Sequence, residues 1–254
     1  MSAAPLLWHF PISHFNEKVR WALDWKGVPH RRRALGIGYL PRALWATGQP
    51  RLPILFLDGR AIADSTRIIA ALEERFPEPP LHPRDPEERR RALAIEDFFD
   101  EEVGSAVRTA LLGPAFKRDP AAAFHVLATG MPGTAETAMR AAGPLMRAFY
   151  RARHDINDAT IAASRDKIAA GLDRIEAEVG PSGYLVGDRF SVADLTAAAL
   201  LAILSASVEL EYRPSGPVPP EIADYRASLA DRPAMAWVAD VYRRHRGVSA
   251  EIAA

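Results

Sequence analysis

A proline-rich segment divides this chain of 254 residues into two parts of different character. Residues 77–86 carry five prolines in ten positions, and proline is excluded from helix interiors and central strands. Before this segment, short apolar runs alternate with amphipathic stretches. After it, the chain is rich in Ala, Glu and Arg with helical periodicity. We therefore predict a stiff linker between a first domain at 1–80 and a second at 86–254.

The first part predicts a mixed α/β domain. Residues 6–10 are typical of a buried strand that a proline ends, and the apolar spacing of residues 15–23 predicts a helix. A weaker strand is expected near 31–35. Residues 54–63 predict a hairpin, because Asp-Gly at its centre accepts the positive φ of a tight turn. With a short helix before the hairpin and another at about 65–76, the order is β-α-β-α-β-β-α. The sheet then joins a parallel βαβ half to an antiparallel hairpin.

The second part predicts an all-α helical bundle. Asp85-Pro86 followed by acidic residues is typical of a helix start. Ser191 with Asp194 three positions later predicts a capping box at another helix N-terminus. Its role is structural.

Composition excludes several classes of protein. The 32 Lys and Arg balance 32 Asp and Glu, so nucleic acid is not an expected partner. No apolar run reaches the ~18 residues of a membrane span, and no secretory signal is visible, so the expected location is cytoplasmic. The chain has no cysteine, which excludes disulfides, Cys-ligated metals and a cysteine nucleophile of its own; no metal site is expected.

Ser13 is the first candidate for chemistry. It follows the first strand and stands at the start of the first helix, where free backbone N–H groups and the helix dipole favour an anion. The alternative is that Ser13 serves only as an N-cap.

Two further pairs could bind a peptide-like ligand. Leu52-Pro53 precedes a buried strand, and a cis-Pro53 would leave the Leu52 backbone free to pair with an extended ligand. The alternative is an ordinary trans proline at a sheet edge. Asp64-Ser65 starts the next helix and could hold an α-amino acid head group, or be a plain N-cap.

Together these motifs resemble the glutathione S-transferase superfamily over essentially the whole chain. The most specific pieces are Ser13 to Leu23 (SHFNEKVRWAL), Leu52 to Leu55 (LPIL), Ala63-Asp64-Ser65 and Phe190 to Asp194 (FSVAD). The resemblance implies a thioredoxin-like N-terminal domain, an all-helical C-terminal domain and a homodimer. It also implies that Pro53 is cis, that Leu52 pairs with the cysteinyl part of glutathione, and that Asp64 and Ser65 bind its γ-glutamyl end.

The resemblance places Ser13 at the position that activates the glutathione thiol. Redox classes of the family carry Cys there, and this chain cannot form the mixed disulfide that such a Cys permits. The family's Tyr-using classes would place Tyr near His9, which is either a second donor or a core histidine. His14 is either a solvated loop residue or a partner of the glycyl carboxylate of glutathione, which Arg51 could also reach.

The expected function is glutathione transfer to a small hydrophobic electrophile. Its pocket should lie between the domains. The candidate lining residues are Phe10, Phe98, Phe99, Val103 and Arg108. One alternative is a non-catalytic member of the fold that serves as a binding or assembly module. Another is a narrow glutathione-dependent isomerase or ether-cleaving enzyme. The chain exceeds the usual length of the family, with the surplus around 130–157.

Overall fold

The computed structural model describes residues 3–36, 38–131, 133–134, 137, 156–214 and 218–253, and the structural statements below concern these residues. Most of the segment 130–157 lies outside them. The predicted fold class is confirmed: a small mixed sheet with helices is followed by a helical part.

The sheet has four strands in the order β2-β1-β3-β4. Strand β1 pairs parallel with β2 and antiparallel with β3, and β3 pairs antiparallel with β4. The turn between β3 and β4 has positive φ at both Asp58 (49°) and Gly59 (79°), as the hairpin signal predicts. The elements of this part are β1 Leu6–His9, α1 His14–Trp25, β2 Arg31–Ala34, α2 Tyr39–Thr47, β3 Ile54–Leu57, β4 Arg60–Ala63 and α3 Ser65–Arg75.

The second part is helical in all its described elements. The central helix, α8 (Val192–Leu201), is buried along its whole length, which fits its mostly apolar sequence. No helix in the described ranges is long and apolar enough to cross a membrane. The elements are α4 Pro86–Phe98, a π-helical segment Phe99–Gly104, α5 Ser105–Arg118, α6 Pro120–Leu127, α7 Asp158–Glu178, α8 Val192–Leu201, a 3₁₀ turn Ala202–Leu204, α9 Pro220–Leu229 and α10 Pro233–His245.

The capping box of α8 forms as predicted. The Asp194 carboxylate accepts hydrogen bonds from the backbone N–H of Ser191 at 2.9 Å and of Leu185 at 2.8 Å. Burial raises the pKa of Asp194 to about 6. The linker is anchored next to this cap, because the Val192 N–H donates to the Leu81 carbonyl at 2.8 Å and Leu81 is fully buried.

Buried ion pairs hold α1 against the helical part. Lys18 has a side chain with no exposed surface, and its Nζ lies 2.8 Å from Glu96 Oε1 and 2.7 Å from Asp100 Oδ2. The residue directly before Lys18, Glu17, contacts Tyr242 and Arg246 of the last part of the chain. Helix α1 is therefore fixed on two sides, and the loop that precedes it is fixed with it.

Candidate functional site

Strand register brings the three sequence motifs to one end of the sheet. Ile54, the first residue of β3, lies opposite Trp8 near the end of β1 and opposite Ala63 at the end of β4. The chain therefore leaves β1 toward Ser13, enters β3 from Leu52-Pro53 and leaves β4 toward Asp64 at the same edge. The site predicted from three separate motifs is one place in the fold.

Ser13 occupies the N-cap of α1 without using its hydroxyl as a cap. Its backbone is extended (φ −75°, ψ 127°), and its N–H donates to the Phe10 carbonyl at 3.0 Å. The side chain makes no capping hydrogen bond. The loop is closed instead by Asn16, whose Oδ1 accepts from the Phe10 N–H at 3.1 Å. The partly buried hydroxyl of Ser13 is thus left for a ligand at the positive end of the helix.

The Leu52–Pro53 peptide bond is cis, as the family resemblance implies, and the trans alternative is wrong. Leu52 lies outside the β3 ladder, which begins at Ile54. In the described part of the chain, neither its N–H nor its C=O has a backbone hydrogen-bond partner. An extended peptide-like ligand could pair with both groups.

Asp64 caps α3 and keeps one carboxylate oxygen available. Its Oδ1 accepts from the N–H groups of Thr66 (3.1 Å) and Arg67 (3.2 Å). No contact within the described ranges engages Oδ2. Asp64 also has φ +80°, a conformation that costs a non-glycine residue on the order of 1–3 kcal/mol. Ser65 beside it is buried.

A buried polar cluster that sequence reasoning missed lies behind this helix start. The hydroxyl of Thr66, in the first turn of α3, donates a hydrogen bond to Asp100 Oδ2 at 2.6 Å. The same hydroxyl accepts a hydrogen bond from Lys18 Nζ at 3.3 Å. Burial raises the pKa of Glu96 in the same cluster, although Lys18 opposes the rise. The one sequence feature that indicates this cluster is Lys18, a charged residue on the apolar face of the first helix.

His9 is a core histidine, which confirms that alternative. Its Nδ1 accepts from Arg20 at 3.1 Å, and burial together with the Arg20 charge lowers its pKa to about 3. The expectations for His14 need correction. It is buried, its Nε2 lies 2.7 Å from the Gly104 carbonyl, and burial and Arg108 lower its pKa to about 4. His14 is therefore neither solvated nor a cationic partner for a carboxylate at neutral pH.

Two of the five predicted pocket residues are core residues instead, and a third packs against the core. Phe99 and Val103 are fully buried. Phe98 packs against Phe99 at 5.3 Å between ring centroids and under the Arg174 guanidinium at 4.5 Å, so it contacts α7. These residues continue the apolar stripe of α4, and an apolar stripe more often faces a core than a cleft.

The other predicted residues are placed differently. Phe10 is partly buried, with its ring centroid 6.4 Å from that of Tyr39. Arg108 is partly buried on α5 near His14. Arg51 is exposed and makes no ion pair in the described part of the chain.

One described cavity adjoins Ser13. A cavity of about 10 Å³ is bounded here by residues of the first loop, α1, α8 and the segment that follows the 3₁₀ turn. That volume is close to the minimum for one water molecule. The far wall, Ile203, Leu210 and Tyr212, lies almost two hundred residues from Ser13, and no sequence pattern pointed to it. The lining residues are Pro11, Ile12, Ser13, His14, Glu17, Arg20, Ala199, Ile203, Leu210, Glu211 and Tyr212.

Comparison with protein families agrees with this geometry. The family description "Glutathione S-transferase, N-terminal domain" matches residues 7–80, and "Glutathione S-transferase, C-terminal domain" matches residues 158–240. The chain belongs to the glutathione S-transferase superfamily. Both family regions contain motifs on which the resemblance was based.

Individual relatives are distant. FtsZ-localized protein A of Caulobacter vibrioides is 24% identical over 209 residues, which cover 80% of this chain and 78% of that protein. A probable glutathione S-transferase of Nicotiana tabacum is 30% identical over 40% of this chain, and the match spans less than half (45%) of the tobacco protein.

Among solved structures, a glutathione S-transferase of Methylobacterium radiotolerans in complex with glutathione sulfonate shares 27% identity. It aligns with a TM-score of 0.57 over 91% of this chain and 92% of its own. In the described ranges, no group of three or more His, Cys, Asp or Glu residues could hold a metal ion.

Proposed function

We propose that this chain binds glutathione at the shared sheet end and that Ser13 activates its thiol for attack on a small hydrophobic electrophile. The observation that carries this proposal is the Ser13 hydroxyl, which stands at a helix N-terminus and makes no capping hydrogen bond. The bound ligand of the Methylobacterium relative, glutathione sulfonate, supports the choice of glutathione.

The energy that this activation needs is modest. A free thiol titrates near ~8.5, so glutathione is mostly protonated at neutral pH. Lowering that pKa by ~2 requires ~2.7 kcal/mol of preferential stabilisation of the thiolate. A hydrogen bond to a charged acceptor contributes ~1.5–3 kcal/mol, and the helix N-terminus adds ~0.3–1 kcal/mol. The thiol proton leaves to solvent. With an aryl halide as the electrophile, the thiolate forms the S–C bond, the carbon–halogen bond breaks, and halide leaves to solvent.

The rest of the tripeptide would be bound by groups that have no partner within the described ranges. The Leu52 N–H and C=O would pair with the cysteinyl residue as an added strand. Asp64 Oδ2 would accept from the γ-glutamyl ammonium, while Ser65 would bind the adjacent carboxylate. Exposed Arg51, just before Leu52, would take the glycyl carboxylate.

Three wider expectations stay part of this proposal. The domains are 1–80 and 86–254, the protein acts in the cytoplasm in detoxification, and it forms a homodimer. Light scattering tests the last of these, since a monomer at micromolar concentration would contradict it.

Calorimetric titration with glutathione tests binding, and a conjugation assay with an aryl halide tests activation. We expect wild type to bind glutathione. Ser13→Ala should keep binding within about three-fold but lose roughly ten- to a hundred-fold in conjugation rate at neutral pH. Asp64→Asn keeps the cap and should weaken binding by about ten-fold.

Two matched variants control for unspecific effects. Ser105→Ala changes an exposed serine at the start of α5, and Asp119→Asn changes a residue that caps α6 through the same contacts as Asp64. Both should behave as wild type. Absence of glutathione binding by the wild-type protein would overturn the proposal.

A second candidate function is a non-catalytic binding or assembly module. It is favoured by the cavity between Ser13 and Tyr212, whose volume of about 10 Å³ is close to the minimum for one water molecule. One relative, whose match covers 80% of this chain, is named for its localisation with FtsZ and not for a reaction. This candidate predicts that glutathione binds while no electrophile of a broad panel gives turnover that Ser13→Ala abolishes.

A further inference from the structure

Arg108 is a partly buried cation that has no partner among the described residues. Its Nε is buried and makes no hydrogen bond. Across the described part of the chain, no carboxylate or carbonyl contacts its guanidinium. Other buried guanidinium groups have carboxylate partners. Arg20 pairs with Glu17 at 2.6 Å, and Arg246 pairs with both Glu17 (2.6 Å) and Asp24 (2.8 Å). A partly buried guanidinium that has no counter-ion in the described ranges keeps its N–H donors available for an acidic ligand.

Gly104, at the end of the π-helical segment that precedes α5, lies close to Phe15 of α1. A Cβ added to Gly104 would lie 2.5 Å from Phe15 Cζ, so a larger residue would displace that ring. The Gly104 carbonyl also accepts the hydrogen bond of His14 at 2.7 Å. Arg108 comes four residues after Gly104 and therefore lies on the same helix face, one turn further along.

Helix geometry directs Arg108 back toward the thiol site. Side chains on a helix lean toward its N-terminus, which here is the Gly104 turn that holds His14. The Arg108 charge is a cause of the lowered pKa of His14, which agrees with this proximity. His14 adjoins Ser13, and it stays neutral at pH 7, so it neither repels nor replaces an anion bound to Arg108.

We propose that Arg108 binds a carboxylate carried by the electrophile, so that the substrate is an apolar electrophile with one acidic group. This inference rests on the proposed glutathione-dependent function. The guanidinium is a planar fork that matches a carboxylate through two parallel hydrogen bonds. It lies one helix turn from Gly104, whose carbonyl holds His14 beside Ser13, and the group attached to the sulfur would lie near this turn.

Affinities of two glutathione conjugates test the proposal without requiring turnover. The probes are S-benzylglutathione and S-(4-carboxybenzyl)glutathione, which differ only in the acidic group, together with glutathione itself. We expect wild type to bind the carboxylated conjugate about ten- to a hundred-fold more tightly than the benzyl one. Arg108→Gln should bind both conjugates alike, and its affinity for glutathione should stay within two-fold of wild type.

Two variants make the result specific. Arg118→Gln alters an exposed arginine near the end of the same helix, paired with Glu221 at 3.0 Å, and should keep the full preference. Arg108→Lys retains the positive charge but not the planar guanidinium, and it should keep part of the preference for the carboxylated conjugate. Circular dichroism and melting temperature confirm that each variant is folded.

The outcomes separate this inference from the function on which it rests. If wild type binds no glutathione, the proposed function fails and this assignment fails with it. If it binds glutathione and both conjugates equally, only the Arg108 assignment is overturned. A matching loss of affinity for glutathione itself in Arg108→Gln would also overturn it, because Arg108 would then serve the tripeptide.

Discussion

Replacing Glu17 by Gln tests the buried contacts between α1 and the C-terminal helices. Glu17 Oε1 accepts hydrogen bonds from the Tyr242 hydroxyl and from Arg246 Nε, each at 2.6 Å, and Oε2 accepts from Arg20 Nη2 at 2.6 Å. A glutamine has the same shape, but its amide nitrogen presents hydrogens where these donors need an acceptor. Removing one partner of a buried ion pair costs about 3–5 kcal/mol. We expect Glu17→Gln to lower the free energy of unfolding at pH 7 by that amount.

The pKa of Glu17 adds a pH dependence with a defined sign. Burial raises this pKa, but Arg20, Arg246 and the Tyr242 hydrogen bond outweigh it and lower it from 4.5 to about 2. A carboxylate with a lowered folded-state pKa stabilises the fold above its unfolded value, and this stability is lost as the pH falls. The difference between 4.5 and about 2 corresponds to roughly 3 kcal/mol at ~1.4 kcal/mol per pH unit.

Urea denaturation followed by circular dichroism measures both effects. The difference in the free energy of unfolding between wild type and Glu17→Gln should be largest at pH 7. It should be smaller by roughly 1.4 kcal/mol at about one pH unit below the pKa that Glu17 has in the unfolded chain. Glu102→Gln is the control, because its pair with Lys167 at 2.7 Å is about half exposed. It should cost at most about 0.5 kcal/mol. A loss under about 1 kcal/mol for Glu17→Gln, or a gap that does not change with pH, would refute the reasoning.

Two further substitutions probe packing near the site. Gly130 has φ +73°, and an added Cβ would lie 2.5 Å from the Tyr212 ring and 2.8 Å from Pro11. Gly130→Ala should therefore lower stability in thermal unfolding by about 1–3 kcal/mol, whereas an unchanged melting temperature would contradict this packing. Lys18→Met leaves the Glu96 and Asp100 carboxylates without their cation. It should lower the free energy of unfolding, measured by urea denaturation, by about 3–5 kcal/mol. A cost below about 1 kcal/mol would mean that the Lys18 cluster is not a stabilising contact.

The elements of the fold could be predicted where local signals were strong. The hairpin followed from Asp58-Gly59, since positive φ at both positions is a property of a few residues. The capping box at Ser191 and Asp194 followed from their spacing. Ser13 and Asp64 were found at helix starts for the same reason. These features depend on neighbours within a few positions, which the sequence presents directly.

The remaining features depend on contacts between distant residues. Lys18 and Glu96 are 78 positions apart, and Ile252 donates its N–H to the His30 carbonyl at 2.8 Å across 222 positions. The pocket residues Phe99 and Val103 were placed wrongly because periodicity identifies an apolar face without saying what covers it. His14 was misplaced because its partner, a backbone carbonyl, has no sequence signal.

The pKa of the glutathione thiol, measured on the bound ligand, tests thiol activation most directly. The thiolate absorbance of glutathione in complex with wild type is titrated against pH and compared with the complex of Ser13→Ala. We predict that wild type lowers the thiol pKa by about 1–2 below its free value near ~8.5, and that Ser13→Ala returns it to within about 0.5 of that value. A bound thiol that titrates at its free value in wild type, or one lowered equally in both proteins, would contradict the role of Ser13.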